Sequence, residues 1–296
     1  RHAAPAPPPA LPLAAAENSP AFLAVLRGPD YVVESANQRF QDVVGGRDVL
    51  GHPLLEVVPE LEAQGFRELL ERVGHSAQPF VGESMTAVLP HPSDERPYEA
   101  RFDFIYQPMR SAHGEVDRIL VHGVDVTQQQ RWEARDSFLL ALEDALQHVT
   151  EPQQIVDTSV RLLGEHLQAS RCAYGLMDDH GDGIRVVSDH VHDVPSLQGH
   201  FLLQGVAEGL MEALRDNRPW LLNDADAPGA QGYLAEHYRR IGMRASLAVP
   251  LHKNGRLVAA MGVHQRVPRQ WLSTEVELVR LVGARCWESL QRARMQ

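Results

Sequence analysis

An α+β fold in two domains is predicted by three features of the sequence. A succession of strands, helices and a closing hairpin occurs twice, turn-forming residues separate the apolar runs, and an amphipathic helix follows each hairpin. At 296 residues the chain suits two domains of ordinary size. The predicted bounds are a disordered Pro/Ala-rich leader over 1–19, a first domain over 20–128, a linker helix over 129–150 and a second domain over 151–296. Each domain is expected to be an antiparallel sheet with helices on one side, leaving a cavity between the layers where a small ligand could bind.

The elements follow in order. Residues 1–19 hold Pro5, Pro7, Pro8, Pro9 and Pro12 among alanines, with too few large apolar side chains to offset the entropy of ordering. Order is predicted to begin near Phe22, where Ala21–Leu26 and Tyr31–Val33 flank the turn formers Gly28-Pro29-Asp30 as a β-hairpin. Short helical pieces punctuated by Gly45-Gly46, Gly51, Pro53 and Pro59 lead to a helix over 64–73, whose Phe66, Leu69, Leu70 and Val73 recur at helical spacing. Strands are predicted over 79–89, 98–107 and 116–124, the last two joined at His113-Gly114-Glu115.

From Asp125 the period becomes helical, with Trp132, Leu139, Leu142, Leu146 and Val149 on one stripe that would meet a neighbour or a symmetry mate. A second helix covers 152–167. Strands at 171–177 and 184–191, a helix at 205–216, a short strand at 220–222 and a helix at 231–240 come next. A hairpin of 245–251 with 256–264 turns through Lys253-Asn254-Gly255, and a helix over 274–294 closes the chain. Thr274 and Glu277 have the spacing of a capping box, with Val276, Val279, Val282, Cys286 and Leu290 as the apolar stripe behind them.

Composition narrows the function classes. Lys+Arg 28 against Asp+Glu 39 leaves a net charge of −11, with Lys253 the only lysine. Such a chain repels phosphate backbones over most of its surface, so no nucleic-acid partner is expected. Cys172 and Cys286 are too few for a disulfide framework, in keeping with a cytoplasmic location. No apolar run approaches the roughly 18 residues of a membrane span. There is no glycine-rich phosphate loop, no Gly-x-Ser-x-Gly and no His-Glu-x-x-His, so no catalysis is expected of this stretch of chain.

Particular motifs carry a resemblance. Ala36-Asn37-Gln38-Arg39-Phe40, Gly51-His52-Pro53 and above all Gly123-Val124-Asp125-Val126-Thr127 make residues 22–130 resemble a PAS domain. The resemblance implies that Asp125 and Thr127 couple the last strand to the exit helix. Residues 135–293 resemble a GAF domain through 241–251, Asn254–Val258, Gly262–Gln265 and Pro268-Arg269. The pair is similar to the input region of bacterial sensor histidine kinases, and the GAF segment looks like those of phytochromes. That implies signal transduction in a two-component phosphorelay, with a kinase output beyond Gln296. It also implies a parallel homodimer through the helices at 129–149 and 274–294. A phosphatase or cyclic-dinucleotide output, or a docking scaffold with filled cavities, are the alternatives.

No cofactor is predicted. A bilin is anchored through a cysteine upstream of the PAS domain or in the GAF pocket, and Cys172 falls in the first GAF strand; a flavin adduct needs a PAS cysteine, and 22–130 holds none. A small-molecule ligand of unknown identity is left open. Its candidate contacts are Asn37, Phe102, Phe104, Tyr106, Tyr174, Trp220 and His264. Phe102, Phe104 and Tyr106 read first as core packing and second as ligand contacts. His264 shares a strand face with Val258, Ala260 and Gly262, where phytochromes place a histidine against the chromophore, and it reads first as a satisfied structural histidine and second as a ligand contact. His190 and His192 lie two apart on a strand beside Asp189 and Asp193 and read as a solvated strand end rather than a metal site; His75 reads as a turn residue.

Overall fold

The computed structural model describes residues 19–89, 98–178, 183–202, 208–227 and 232–295. The leader, apart from Ser19, lies outside the described residues, as do the first residues of the helices expected at 205–216 and 231–240. Two compact units divide between Glu133 and Ala134.

In the first unit β1 (Phe22–Arg27) and β2 (Val32–Ala36) form the expected hairpin. Its turn holds Gly28 and Tyr31 at positive φ, 71° and 55°. Four helices follow, α1 (Gln38–Val43), α2 (Leu54–Val57), α3 (Pro59–Ala63) and α4 (Phe66–Ser76). His75 belongs to the last turn of α4 rather than to a turn after it, because Ala77, at φ 52°, ends the helix. Strands β3 (Phe80–Leu89), β4 (Tyr98–Arg110) and β5 (Val116–Asp125) complete an antiparallel sheet of order β2-β1-β5-β4-β3. Alternation sends Phe22, Ala24 and Leu26 of β1 and Phe102, Phe104 and Tyr106 of β4 to one face, where they meet Phe40, Leu54, Phe66, Leu70 and Val73.

Helix α5 (Thr127–Gln147) leads into the second unit, followed by α6 (Pro152–His166), β6 (Arg171–Met177), β7 (Gly183–Val191) and β8 (Gly199–Leu202). Then come α7 (Glu208–Arg215), β9 (Trp220–Leu222), α8 (Gly232–Arg240), β10 (Ala245–Lys253), β11 (Arg256–Gln265) and α9 (Ser273–Met295). The sheet is antiparallel, in the order β8-β7-β6-β11-β10-β9. The β10–β11 turn holds Asn254 and Gly255 at φ 50° and 76°, the geometry that a two-residue hairpin demands.

Two expectations need correction here. Helices cover both faces of this sheet. Cys172, Tyr174, Leu247, Val249, Met261 and Val263 pack against α5, α6 and α9, whereas Ala248 and Ala260 pack against Met211 and Leu214 of α7. Strand β10 is accordingly buried without interruption from Ala245 to Pro250. The apolar stripe of α5 meets a neighbour, one of the two expected alternatives, and together with that of α9 closes this unit's own core, with Leu139, Leu142, Leu146, Val279, Val282, Cys286 and Leu290 all buried. What stays exposed on α5 is Trp132, at 54%, and Leu140, at 64%. Second, Ser273 is already helical, so Thr274 caps nothing. Glu275 accepts the Leu272 N–H at 2.9 Å and binds Arg269 at 2.6 Å, while Glu277 pairs with Arg280.

Candidate functional site

Three places in the fold gather the residues that the sequence singles out. The first is the interior of the first unit. Phe22, Phe40, Phe66, Phe102, Phe104 and Tyr106 surround an apolar cavity of about 50 Å³ between sheet and helices. That is far below the roughly 300–1,000 Å³ of ordinary small-molecule sites. The rings pack edge-on and tilted, with Phe22 and Phe102 5.6 Å apart at 85° and Phe104 and Tyr106 4.8 Å apart. Gly123 makes this packing possible, since a Cβ there would lie 2.6 Å from Phe104 Cβ and 2.7 Å from the Asp103 carbonyl. Asn37 does not face the cavity contents as a ligand contact would. Its carboxamide accepts from the Leu23 and Phe40 N–H groups, at 2.9 and 3.0 Å, and donates to the Ala21 carbonyl at 2.9 Å, so it caps α1 and ties it to β1.

The second place is the end of the first sheet. The Asp125 carboxylate accepts the Thr127 N–H at 2.8 Å, turning the chain from β5 into α5. The Thr127 hydroxyl accepts the Arg101 N–H at 2.8 Å, and the Arg101 carbonyl accepts the Val126 N–H at 2.9 Å. The Arg101 guanidinium reaches Gln130, one turn into the helix, at 3.1 Å. Asp125 and Thr127 therefore act with Arg101 and Gln130, which the sequence reading missed. A neighbouring strand supplies Arg101, and only the β4–β5 register brings it to the helix start.

The third place is the second unit. Arg171, at the start of β6, is fully buried. It donates to the Pro195 carbonyl from Nε at 3.1 Å and Nη2 at 2.6 Å, to the Ile241 carbonyl at 2.7 Å, and from Nη1 to His264 Nδ1 at 3.1 Å. A guanidinium has only donors, so Nδ1 is the unprotonated nitrogen and His264 is the neutral Nε2–H tautomer. Burial, and next the Arg171 charge, hold the His264 pKa down to about 3. His264 pairs across the sheet with Arg171 and Ser246 and so lies on the α7 side.

Of the other expected contacts, Trp220 is on that same side, packed with Met211, Leu214 and Ala248. Its indole N–H is buried without a partner among the described residues. Tyr174 is on the opposite face, in the core beneath α6 and α9, with its hydroxyl buried and burial raising its pKa. Register explains the misplacement: β6 residues sharing a face with His264 are Arg171, Ala173 and Gly175. Cys172 and Cys286 are both fully buried in that core; burial drives both thiols upward, Cys286 to about 12. His190 packs against Gly164 of α6, and His192 lies exposed beside Asp193, so the pair does not converge. Among the described residues no three His, Cys, Asp or Glu side chains are placed to hold a metal.

The same unit also carries an open cleft of about 530 Å³, lined by Met177, Asp178, Arg185, His200, Arg256 and Leu257 from the strands and their ends and by Trp287 and Arg294 from α9. No spacing in the sequence singles out these arginines, because they come from three separate elements.

Comparison with known proteins places the two units. Residues 16–131 match the family described as PAS fold, and residues 151–290 the family described as GAF domain. Among solved structures, the chromophore-binding domain of a bacteriophytochrome from R. palustris is 12% identical, with 93% of this chain and 95% of that chain covered and a TM-score of 0.46. The corresponding domain from Stigmatella aurantiaca is 17% identical over 92% and 94%, with a TM-score of 0.46. The PixJ GAF domain of Thermosynechococcus elongatus, in its blue-light absorbing form, is 24% identical over 49% and 87%, with a TM-score of 0.43.

Proposed function

The chain carries a PAS-fold domain followed by a GAF domain, and from this we infer that it is the sensory input module of a bacterial signal-transduction protein, a sensor histidine kinase in a phosphorelay. The observation that carries the reading is the succession of the two domains. Two further features support it. Hydrogen bonds at Asp125, Thr127 and Arg101 tie the first sheet to the start of α5. In the second unit Arg269 bonds the Leu167 carbonyl at 2.8 Å and Glu275 of α9 at 2.6 Å, linking the loop after β11 to the closing helix.

In this reading the module performs no chemistry of its own in the cytoplasm, where it works. A ligand or partner favours one packing of helices against sheet, and α5 and α9 move in a homodimer. Exposed Trp132 and Leu140 support the dimer on α5. No covalently held bilin is part of the proposal, because both thiols of the chain are sealed in the second core. Among the described residues no helix is long and apolar enough to cross a membrane.

A second reading has its own support. The apolar cavity of about 50 Å³ favours the first unit as a dimerisation or docking scaffold, leaving the second as the ligand-receiving one. The test fuses the whole chain ahead of the phosphoacceptor and ATP-binding domains of a histidine kinase. Asp125→Ala and Thr127→Ala are expected to change autophosphorylation several-fold; identical rates for all three fusions would contradict the sensory reading.

A further inference from the structure

The cleft of the second unit has a charge pattern at odds with the rest of the chain. The protein as a whole is at −11, yet Arg185 of β7, Arg256 of β11 and Arg294 of α9 converge on one opening. None of the three has an ion-pair or hydrogen-bond partner among the described residues. Other arginines of the same unit differ: Arg161, Arg218, Arg239, Arg244, Arg269 and Arg285 all bind carboxylates. Arg294 also complements the carbonyl end of its helix, but Arg185 and Arg256 stand on strands, where no such dipole faces them. The acidic group in the lining, Asp178, lies 3.5 Å from the His200 imidazole.

The same opening is lined by apolar groups as well, with Leu176 and Leu257 from the strands and the Trp287 ring from α9. An opening of this size, with cationic forks beside apolar side chains, suits a ligand that is itself divided in two.

We propose that this cleft binds a small organic phosphate, its planar apolar body lying against Trp287 and Leu257 and its phosphate held by Arg185, Arg256 and Arg294. A ligand so placed bridges the sheet and the last two turns of α9, and its occupancy biases where that helix sits. The binding itself does not depend on the sensory reading. Titration measures binding, and the kinase fusion measures signalling, so either can fail alone.

The test titrates the full chain with 1-naphthyl phosphate by calorimetry and by tryptophan fluorescence, with 1-naphthol as the neutral control. Saturable 1:1 binding is expected, weakened by added salt, with a fluorescence change lost in Trp287→Phe. Each lost charge-assisted contact is worth about tenfold, so Arg185→Gln with Arg256→Gln raises Kd by roughly 100-fold, and Arg185→Lys by less than Arg185→Gln. These side chains are exposed, and circular dichroism checks that the variants fold. Equal binding of 1-naphthol, an unchanged Kd in the double variant, or no saturable binding at all overturns the proposal.

Discussion

The two units answer the same packing problem differently. In the first, helices lie along one face of a five-stranded sheet and aromatic rings fill the space between, leaving about 50 Å³. The second buries its six-stranded sheet on both faces, and a polar cleft of about 530 Å³ remains at its end. A sheet covered on one side can satisfy its core with alternating side chains. A sheet covered on both must also bury whatever polar groups its strands carry, and Arg171 is the outcome: a guanidinium inside, held by two carbonyls and an imidazole, with the Asp189 charge acting on it from beyond ion-pair distance. The first unit is thus built to be filled, and the second to hold polar groups away from water.

The sharpest way to break this contrast is Arg171→Met. It strips the Pro195 and Ile241 carbonyls and His264 of their donor, and each orphaned buried acceptor costs on the order of 1–3 kcal/mol. The expected loss is about 3 kcal/mol or more in the second unit, read by urea unfolding, with hydrogen exchange in residues 22–125 unchanged. Equal destabilisation of both units would erase the distinction.

Acid sharpens it next. The folded-state pKa of His264 lies near 3, below the roughly 6.5 of an unfolded histidine, so the unfolded chain binds the proton first. The stability contribution is complete above about pH 6.5 and drains away toward pH 3, at up to about 1.4 kcal/mol per pH unit. His166, lowered by burial, acts in the same direction. Urea midpoints between pH 7 and pH 4 are expected to fall, and His264→Gln, whose amide oxygen still accepts from Arg171, to flatten the slope.

In the first unit the corresponding probe is steric. Gly123→Ala forces a Cβ against Phe104 and the Asp103 carbonyl, costing about 2 kcal/mol in the thermal transition of that unit alone. Smallest is Thr127→Ala, which removes the acceptor of the Arg101 N–H for about 1 kcal/mol. It is expected to speed amide exchange at Arg101 and in the first turn of α5 while leaving β1 and β2 protected.

The first unit was legible in the sequence because its signals are local. Phe102, Phe104 and Tyr106 alternate, Gly28 marks the turn, and Asp125 and Thr127 bond to each other's neighbourhood within two residues. The second unit hides its logic in strand register. A run such as Ala245–Leu251, apolar apart from Ser246, signals burial on both faces, yet it does not say which helix covers which side. Tyr174 and His264 look equivalent until the β6–β11 pairing puts Arg171, not Tyr174, beside the histidine. The capping pattern failed for a related reason: Glu275 reaches back to a leucine N–H, and no hydroxyl announces that position. Short β8 carries too few residues for any period to show.

The central claim is that ligand reception belongs to the second unit and reaches α9 directly. Hydrogen–deuterium exchange of the full chain, with and without saturating 1-naphthyl phosphate, tests it in one measurement. The account predicts slower exchange in β7, β11 and the end of α9, with residues 22–125 unaffected. Protection confined to the strands of the first unit, with α9 unchanged, would contradict it.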